Sequence, residues 1–258
     1  MPTITRDGVK LAYSEEGRGA PAFVFVHGWC CDRSFFAPQA AHFAGRHRVV
    51  SVDLRGHGQS DAPQGAYPIS QFADDVAHVI ATLGLGKAIA VGHSMGGATV
   101  LQLAAAHPDR VAAIVMVDPA PLETTPERKA AIEARIAAIE AGDREGWRRM
   151  IVERFFLPKS DPAFVARVAD LMTATAPHVA ASAIRGVRDW DGLAAAARCK
   201  VPALHIAATP PLNPPHRMAE LLPGVVNGMT VGAGHFNQLE AREQVTGMIE
   251  RFLRHHVL

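Results

Sequence analysis

Short, mostly apolar runs alternate along the chain with longer stretches whose apolar residues recur at helical spacing. The runs are Phe23 to Val26, Val49 to Val52, Ala88 to Val91, Ile114 to Val117, Ala203 to Ala207 and Asn227 to Val231. Runs of that length, bounded by loops, predict strands buried on both faces, and the helical stretches between them predict a parallel sheet covered on both sides. Thr3 to Arg6 and Lys10 to Ser14 are joined through Asp7 and Gly8, and a DG turn between short alternating runs predicts a hairpin ahead of the parallel strands. In such sheets the chemistry sits at the carboxyl ends of the strands.

One region breaks the alternation. Between Ala120 and Lys200 no strand pattern occurs, while Pro126 to Ala141, Arg144 to Phe156, Pro162 to Thr175 and Pro177 to Arg188 carry helical spacing, several of them opening on proline. Ile132, Ile136 and Ile139 fall on one helical face, and Glu133, Arg135 and Glu140 lie off it. Such a stripe can meet a partner, a membrane surface or the chain's own core, and a lid packed over the sheet is the simplest of the three. The expected organisation is a core of residues 1–119 and 200–258 with a helical cap of residues 120–199.

GHSMG at Gly92 to Gly96 follows the apolar run Ala88 to Val91 and opens the helix-compatible stretch Ala98 to Ala106. A strand that turns sharply into a helix presents its middle residue, Ser94, with the hydroxyl exposed, and small residues are needed where the turn closes on itself. A serine hydroxyl needs a base and oxyanion donors before it attacks a carbonyl. His235, in GAGHF past the last apolar run, is the candidate base. The candidate oxyanion donors are the amide of Met95, next after Ser94, and the amide of Trp29 in the HGW loop that follows Val26. The Trp29 ring is expected to wall the acyl pocket, and His27 to lie beside substrate or tie its loop together by hydrogen bonds.

At 258 residues the chain fits one α/β domain with an insertion, and its net charge of +1 lacks the basic excess that phosphate-backbone binding needs. Nucleic acid is therefore not an expected partner. Cys30 and Cys31 are adjacent and Cys199 is remote, which implies no disulfide framework and a reducing cytoplasmic setting. The polar N-terminal stretch is not a secretory signal, and no segment has the length of a membrane span. The 13 histidines show no HExxH and no ligand-spaced cluster, so no metal site is expected. His205, inside an apolar run, reads as a core histidine, and Cys30 and Cys31 as small apolar packing. A small molecule is the expected partner, with the oligomeric state open between monomer and homodimer.

FVHGW at Phe25 to Trp29, DLRGHGQS at Asp53 to Ser60, GHSMGG at Gly92 to Gly97, VDPAP around Asp118 and GAGHF at Gly232 to Phe236 occur in this order across nearly the whole chain. With these motifs the chain resembles the α/β-hydrolases of the capped esterase, lactonase and haloperoxidase-like group. The resemblance implies a mostly parallel, doubly wound α/β sheet, a helical cap inserted after the sixth strand, and a serine nucleophile without a cofactor. Asp53, Arg55 and His57 in DLRGHGQS lie on the next loop, within reach of substrate, and the simpler expectation is structural, with Asp53 and Arg55 bracing loops near the elbow and the glycines making the turns.

The chain departs from the family pattern at one point. Most members carry the triad acid after the strand that here is Ala203 to Ala207, yet Ala208 to Pro215 reads ATPPLNPP, and nothing acidic lies between Asp191 and Glu220. Some relatives place the acid after the preceding strand, which puts Asp118 first, with Asn213, Glu220, Asp189 and Asp191 as the remaining candidates. The expected reaction is hydrolysis of a small, largely uncharged carboxylic ester, thioester or lactone through an acyl-enzyme on Ser94, with His235 as base and Asp118 orienting it. Two other readings stand beside it. HGWCCD at His27 to Asp32 with Asp118 resembles cofactor-free dioxygenases that use a His and Asp pair, although Met95 stands where those enzymes have histidine. A noncatalytic ligand-binding member is the other.

Overall fold

The computed structural model describes residues 1–257. Eight strands form one sheet: β1 (Thr3–Arg6), β2 (Val9–Glu16), β3 (Phe23–Val26), β4 (Val49–Val52), β5 (Ala88–His93), β6 (Val111–Val117), β7 (Ala203–Ala207) and β8 (Val226–Met229). Their spatial order is β1-β2-β4-β3-β5-β6-β7-β8. β1 and β2 form the expected antiparallel hairpin, β2 runs antiparallel to β4, and every later pair is parallel.

Alternation of side chains across the strands builds two cores. Val24 and Val26 of β3 point to one, and Phe23 and Phe25 to the other. The first core is covered by α2 (Ile69–Thr82) and α3 (Met95–Ala106), the second by α1 (Ala37–Phe43) and, from the far end of the chain, the C-terminal helix Arg242–His256. Because both faces are buried, β3, β4, β5 and β7 have no exposed residue, and this is why they read as plain apolar runs.

Between β6 and β7 lie α4 (Pro126–Glu140), α5 (Arg144–Phe155), α6 (Pro162–Thr173), α7 (Pro177–Asp189) and α8 (Gly192–Arg198); α9 (Pro215–Leu221), α10 (Asn237–Glu240) and α11 (Arg242–His256) follow β7 and β8. Side-chain caps explain where several start: Thr125 accepts from the Arg128 amide, Asp143 from Gly146, Asp161 from Ala163 and Asp191 from Ala194. α4 packs on α7 through buried Ile136 and Ile139, against an α7 face of Ala180, Ala183, Ile184 and Val187. α8 packs instead on α3. No helix among the described residues is long and apolar enough to cross a membrane.

Register sets up the site. Val26 pairs with Gly92, His93 with Val117, and Val117 with Ile206, so the carboxyl ends of β3, β5, β6 and β7 finish side by side.

Candidate active site

At the β5 to α3 turn Ser94 takes φ 53° and ψ −115°, a left-handed backbone that a side-chain-bearing residue adopts only when its surroundings enforce it. The turn is closed so tightly that a Cβ on Gly92 would overlap the Gly96 carbonyl, and one on Gly96 would overlap the Val26 carbonyl. Both glycines of the pentapeptide are therefore required by close approach. The Ser94 amide donates to the Val117 carbonyl at 3.0 Å, which fixes the turn to the end of β6.

His235 lies on the loop between β8 and α10 and reaches back over this turn. Its Nε2 is 2.9 Å from Ser94 Oγ, and its Nδ1 is 2.7 Å from Asp118 Oδ2. Asp118 is buried just past β6, and its other carboxylate oxygen accepts from the Leu212 amide at 3.2 Å and the Ala208 amide at 3.4 Å. The loop after β7, which carries no acid, thus supplies amide donors to an acid at the end of the neighbouring strand β6. The other candidate acids are engaged elsewhere. Asn213 bonds the Leu122 amide and the Pro119 carbonyl, Glu220 pairs with Arg217, Asp189 with Arg188, and Asp191 caps α8.

Residues 21–241 match the family model described as alpha/beta hydrolase fold. The chain belongs to that family. The AB hydrolase superfamily protein YisY of Bacillus subtilis is 31% identical over 261 residues, covering 96% of this chain and 97% of that protein. A 2-(acetamidomethylene)succinate hydrolase of Mesorhizobium japonicum is 39% identical over 130 residues, 50% of this chain and 46% of that relative, so this match spans about half of either protein. Among solved structures, the enol-lactonase from Burkholderia xenovorans LB400 superposes with a TM-score of 0.88 at 28% identity, covering 98% of this chain and 100% of that one.

In this α/β-hydrolase the loop bearing His235 is braced from below. His93 Nε2 donates to the His235 carbonyl at 2.8 Å, and burial together with the neighbouring His235 holds the His93 ring neutral, well below its usual pKa. From above, Phe155 at the end of α5 stacks on the His235 ring with centroids 4.7 Å apart, and the His235 amide donates to the Phe155 carbonyl at 3.0 Å.

Trp29 follows β3 and lines the cavity that holds Ser94, Met95 and His235, and its indole Nε1 donates to the Ala180 carbonyl of α7 at 2.9 Å. His27 does not reach that cavity, which corrects its expected place beside substrate. Its ring is fully buried, with Nε2 accepting from the Leu54 amide at 3.0 Å and Nδ1 donating to the Gly28 carbonyl at 2.8 Å, a pattern that ties two loops and fixes one neutral tautomer. Asp53 accepts from the Arg33 and Gln59 amides, and Arg55 forks onto buried Asp75 at 2.5 and 2.7 Å, so both brace loops. Burial pushes the Cys30 and Cys31 thiols well above their usual pKa, which leaves them inert as nucleophiles. His205 bonds Asn227 Oδ1 at 2.8 Å between β7 and β8. Among the described residues no cluster of three or more His, Cys, Asp or Glu side chains is arranged to hold a metal ion.

The cavity occupies about 600 Å³, mouth included, and is walled by Trp29, Phe155, Ile132, Ile184, Val187 and Leu212. Three arginines, Arg128, Arg135 and Arg154, also line it. Arg135, which the spacing places off the isoleucine face of its helix, is half-buried with its guanidinium 5.8 Å from the centroid of the Trp29 ring. None of these three belongs to a recognisable motif. The signal they do carry is that no Asp or Glu stands three or four positions from any of them, so none has a partner on its own helix.

Proposed function

We propose that this chain hydrolyses a small carboxylic ester, thioester or lactone through an acyl-enzyme formed on Ser94. The observation that carries the reading is the continuous relay from Ser94 Oγ to His235 at 2.9 Å and from His235 to Asp118 at 2.7 Å. In the first half-reaction Ser94 Oγ bonds to the substrate carbonyl carbon while His235 Nε2 takes its proton. The amides of Trp29 and Met95 hold the resulting oxyanion, and the Met95 amide is free to do so because the first-turn N–H groups of a helix lack intrahelical acceptors. Collapse expels the alcohol or thiol, which leaves with the proton from His235. Water then loses a proton to His235 as it attacks the acyl carbonyl, and the acid product departs with Ser94 restored. Asp118 keeps the Nδ1–H tautomer and offsets the positive charge that forms on the ring.

The segment α4 to α7 acts in this reading as a cap that keeps bulk water from the acyl-enzyme, while α8, packed on α3, belongs to the core. Support comes as well from relatives that by name include a hydrolase and an enol-lactonase. The dioxygenase reading makes no use of the bond between His235 and Ser94, and the binding-module reading depends on a missing acid where Asp118 lies 2.7 Å from His235, so hydrolysis stands ahead of both. Intact-mass measurement after a fluorophosphonate challenge is the test. A single adduct that Ser94→Ala loses is expected; folded wild-type protein that stays unlabelled would sink the acyl-enzyme.

A further inference from the structure

Arg128, Arg135 and Arg154 line the cavity together with Ser94 and His235, and no Asp or Glu lines it. Among the described residues none of the three has a carboxylate oxygen within 4.0 Å, whereas Arg148, Arg185 and Arg217 of the surrounding helices pair with Asp170, Glu140 and Glu123. Arg128, Ile132 and Arg135 occupy one face of α4, and Arg154 is the penultimate residue of α5. Glu153 shares an adjoining groove with Arg135 and Arg154 and pairs with neither.

A solvated basic helix face would leave its guanidinium groups in water, and Arg154, which is exposed, fits that description. Arg135 does not. Its Nε is buried without an acceptor, a condition that costs free energy until an oxygen is supplied. Arg128 is already aimed, since it donates to the Leu212 carbonyl at 3.1 Å and the Glu123 carbonyl at 3.4 Å. Burial, and then the neighbouring Arg154, push the Arg135 pKa down to about 10, which leaves it charged at neutral pH and unrelieved by any anion of the chain.

We propose that the substrate carries a carboxylate that docks on Arg135 between Arg128 and Arg154, on the helical side of Ser94. A planar two-oxygen anion matches the guanidinium fork. The apolar walls Ile132, Ile184, Val187 and Leu212 suit a short hydrocarbon tether from that anion to the scissile carbonyl. This replaces the expectation of a largely uncharged substrate, and its turnover arm rests on the hydrolase reading while its binding arm does not.

The binding arm uses calorimetry on Ser94→Ala with succinate, glutarate and adipate, against glutaramide and inorganic phosphate. At least one dicarboxylate should bind about tenfold or more tightly than glutaramide and phosphate, and Arg135→Met on that background should weaken it about 10- to 100-fold, with Arg135→Lys in between. No binding by any dicarboxylate, equal binding of glutaramide, phosphate as tight as the best dicarboxylate, or unchanged selectivity in folded Arg135→Met would each overturn the proposal. The turnover arm compares a p-nitrophenyl hemiester of glutarate with its neutral methyl-capped counterpart. A higher kcat/KM for the hemiester, falling as salt rises, is expected. Turnover of the neutral ester without preference for the hemiester removes the anion site and leaves the hydrolase; dicarboxylate binding with neither ester turned over keeps the site and removes the hydrolase.

Discussion

The two halves of the cavity are built on opposite principles. On the sheet side Ser94, His235 and Asp118 form a closed relay in which both His235 ring nitrogens and both Asp118 oxygens have partners from the chain itself. On the helical side Arg135 keeps a buried Nε with no partner, and no acid meets any of the three arginines. Satisfied polar groups hold a geometry in place, whereas a buried guanidinium N–H facing a cavity without an acceptor is costly until an oxygen is supplied. The difference teaches where chemistry and choice reside: the sheet edge would do the same reaction on any acyl group, and the helices would decide which acyl group arrives.

That division predicts losses of different kinds. Ser94→Ala should lower kcat by about 10⁴-fold or more on every substrate while leaving the melting temperature close to wild type, because the methyl group keeps the turn and removes only the hydroxyl that the proposed acyl-enzyme requires. Asp118→Asn should lower kcat about 10³- to 10⁴-fold, again whatever the substrate, by presenting an amide where His235 Nδ1–H needs an acceptor. Steady-state kinetics on a carboxylate-bearing and a neutral ester measure both. A loss confined to one of the two substrates would break the comparison, since it would give the sheet side a part in selection.

How much of each half could be read beforehand follows from the same contrast. Ser94 and His235 stand in GHSMG and GAGHF because tight backbone turns demand glycine at fixed places, and such demands leave a motif. Asp118 is legible only through the family resemblance, in which some relatives place the acid after this strand, together with the acid-free ATPPLNPP loop, whose Ala208 and Leu212 amides hold the Asp118 carboxylate. Helical spacing sets Arg135 off the face of Ile132, Ile136 and Ile139 and so gives no sign of its burial, because a long aliphatic stem can run along an apolar wall and keep its head in a cavity. The α8 helix carries only an alanine run, with no polar stripe to mark a face. Strand ends shifted for local reasons. β8 was expected to run to Val231 but ends at Met229, because the Val231 amide and carbonyl are taken by the Gln244 side chain, which draws the chain out of the sheet.

Acid offers a second way to separate the halves. Burial first, then neighbouring His27, lowers the His57 pKa from 6.5 to about 3, and burial lowers His27 and His93 as well. In the unfolded chain these rings take up protons below pH 6.5 while the folded protein refuses them until much lower pH, so the unfolded state binds more protons and stability falls with falling pH. From His57 alone the slope approaches about 1.4 kcal/mol per pH unit between roughly pH 6 and 3. The arginines opposite keep their charge throughout that window. Urea unfolding at pH 7, 6 and 5 should show the decline, and His57→Gln should make it shallower by the His57 share; an identical slope in both proteins would remove His57 as a source.

The smallest expected effect tests the acid assignment from the other direction. Asp191 stood among the alternatives to Asp118, but its carboxylate accepts from the Ala194 amide at 2.9 Å at the start of α8, a helix packed on α3. Asp191→Ala removes that cap and should cost roughly 0.5–2 kcal/mol of stability. Turnover should stay within about twofold, because ΔΔG at a helix end remote from the relay leaves the transition-state contacts intact. Asp118→Asn should show the reverse pattern, a near-normal melting temperature with almost no turnover. If instead Asp191→Ala abolished activity in folded protein and Asp118→Asn retained it, His235 would be oriented from the helical side, and the separation of a self-contained relay from the arginine-bearing helices would fail at its most specific point.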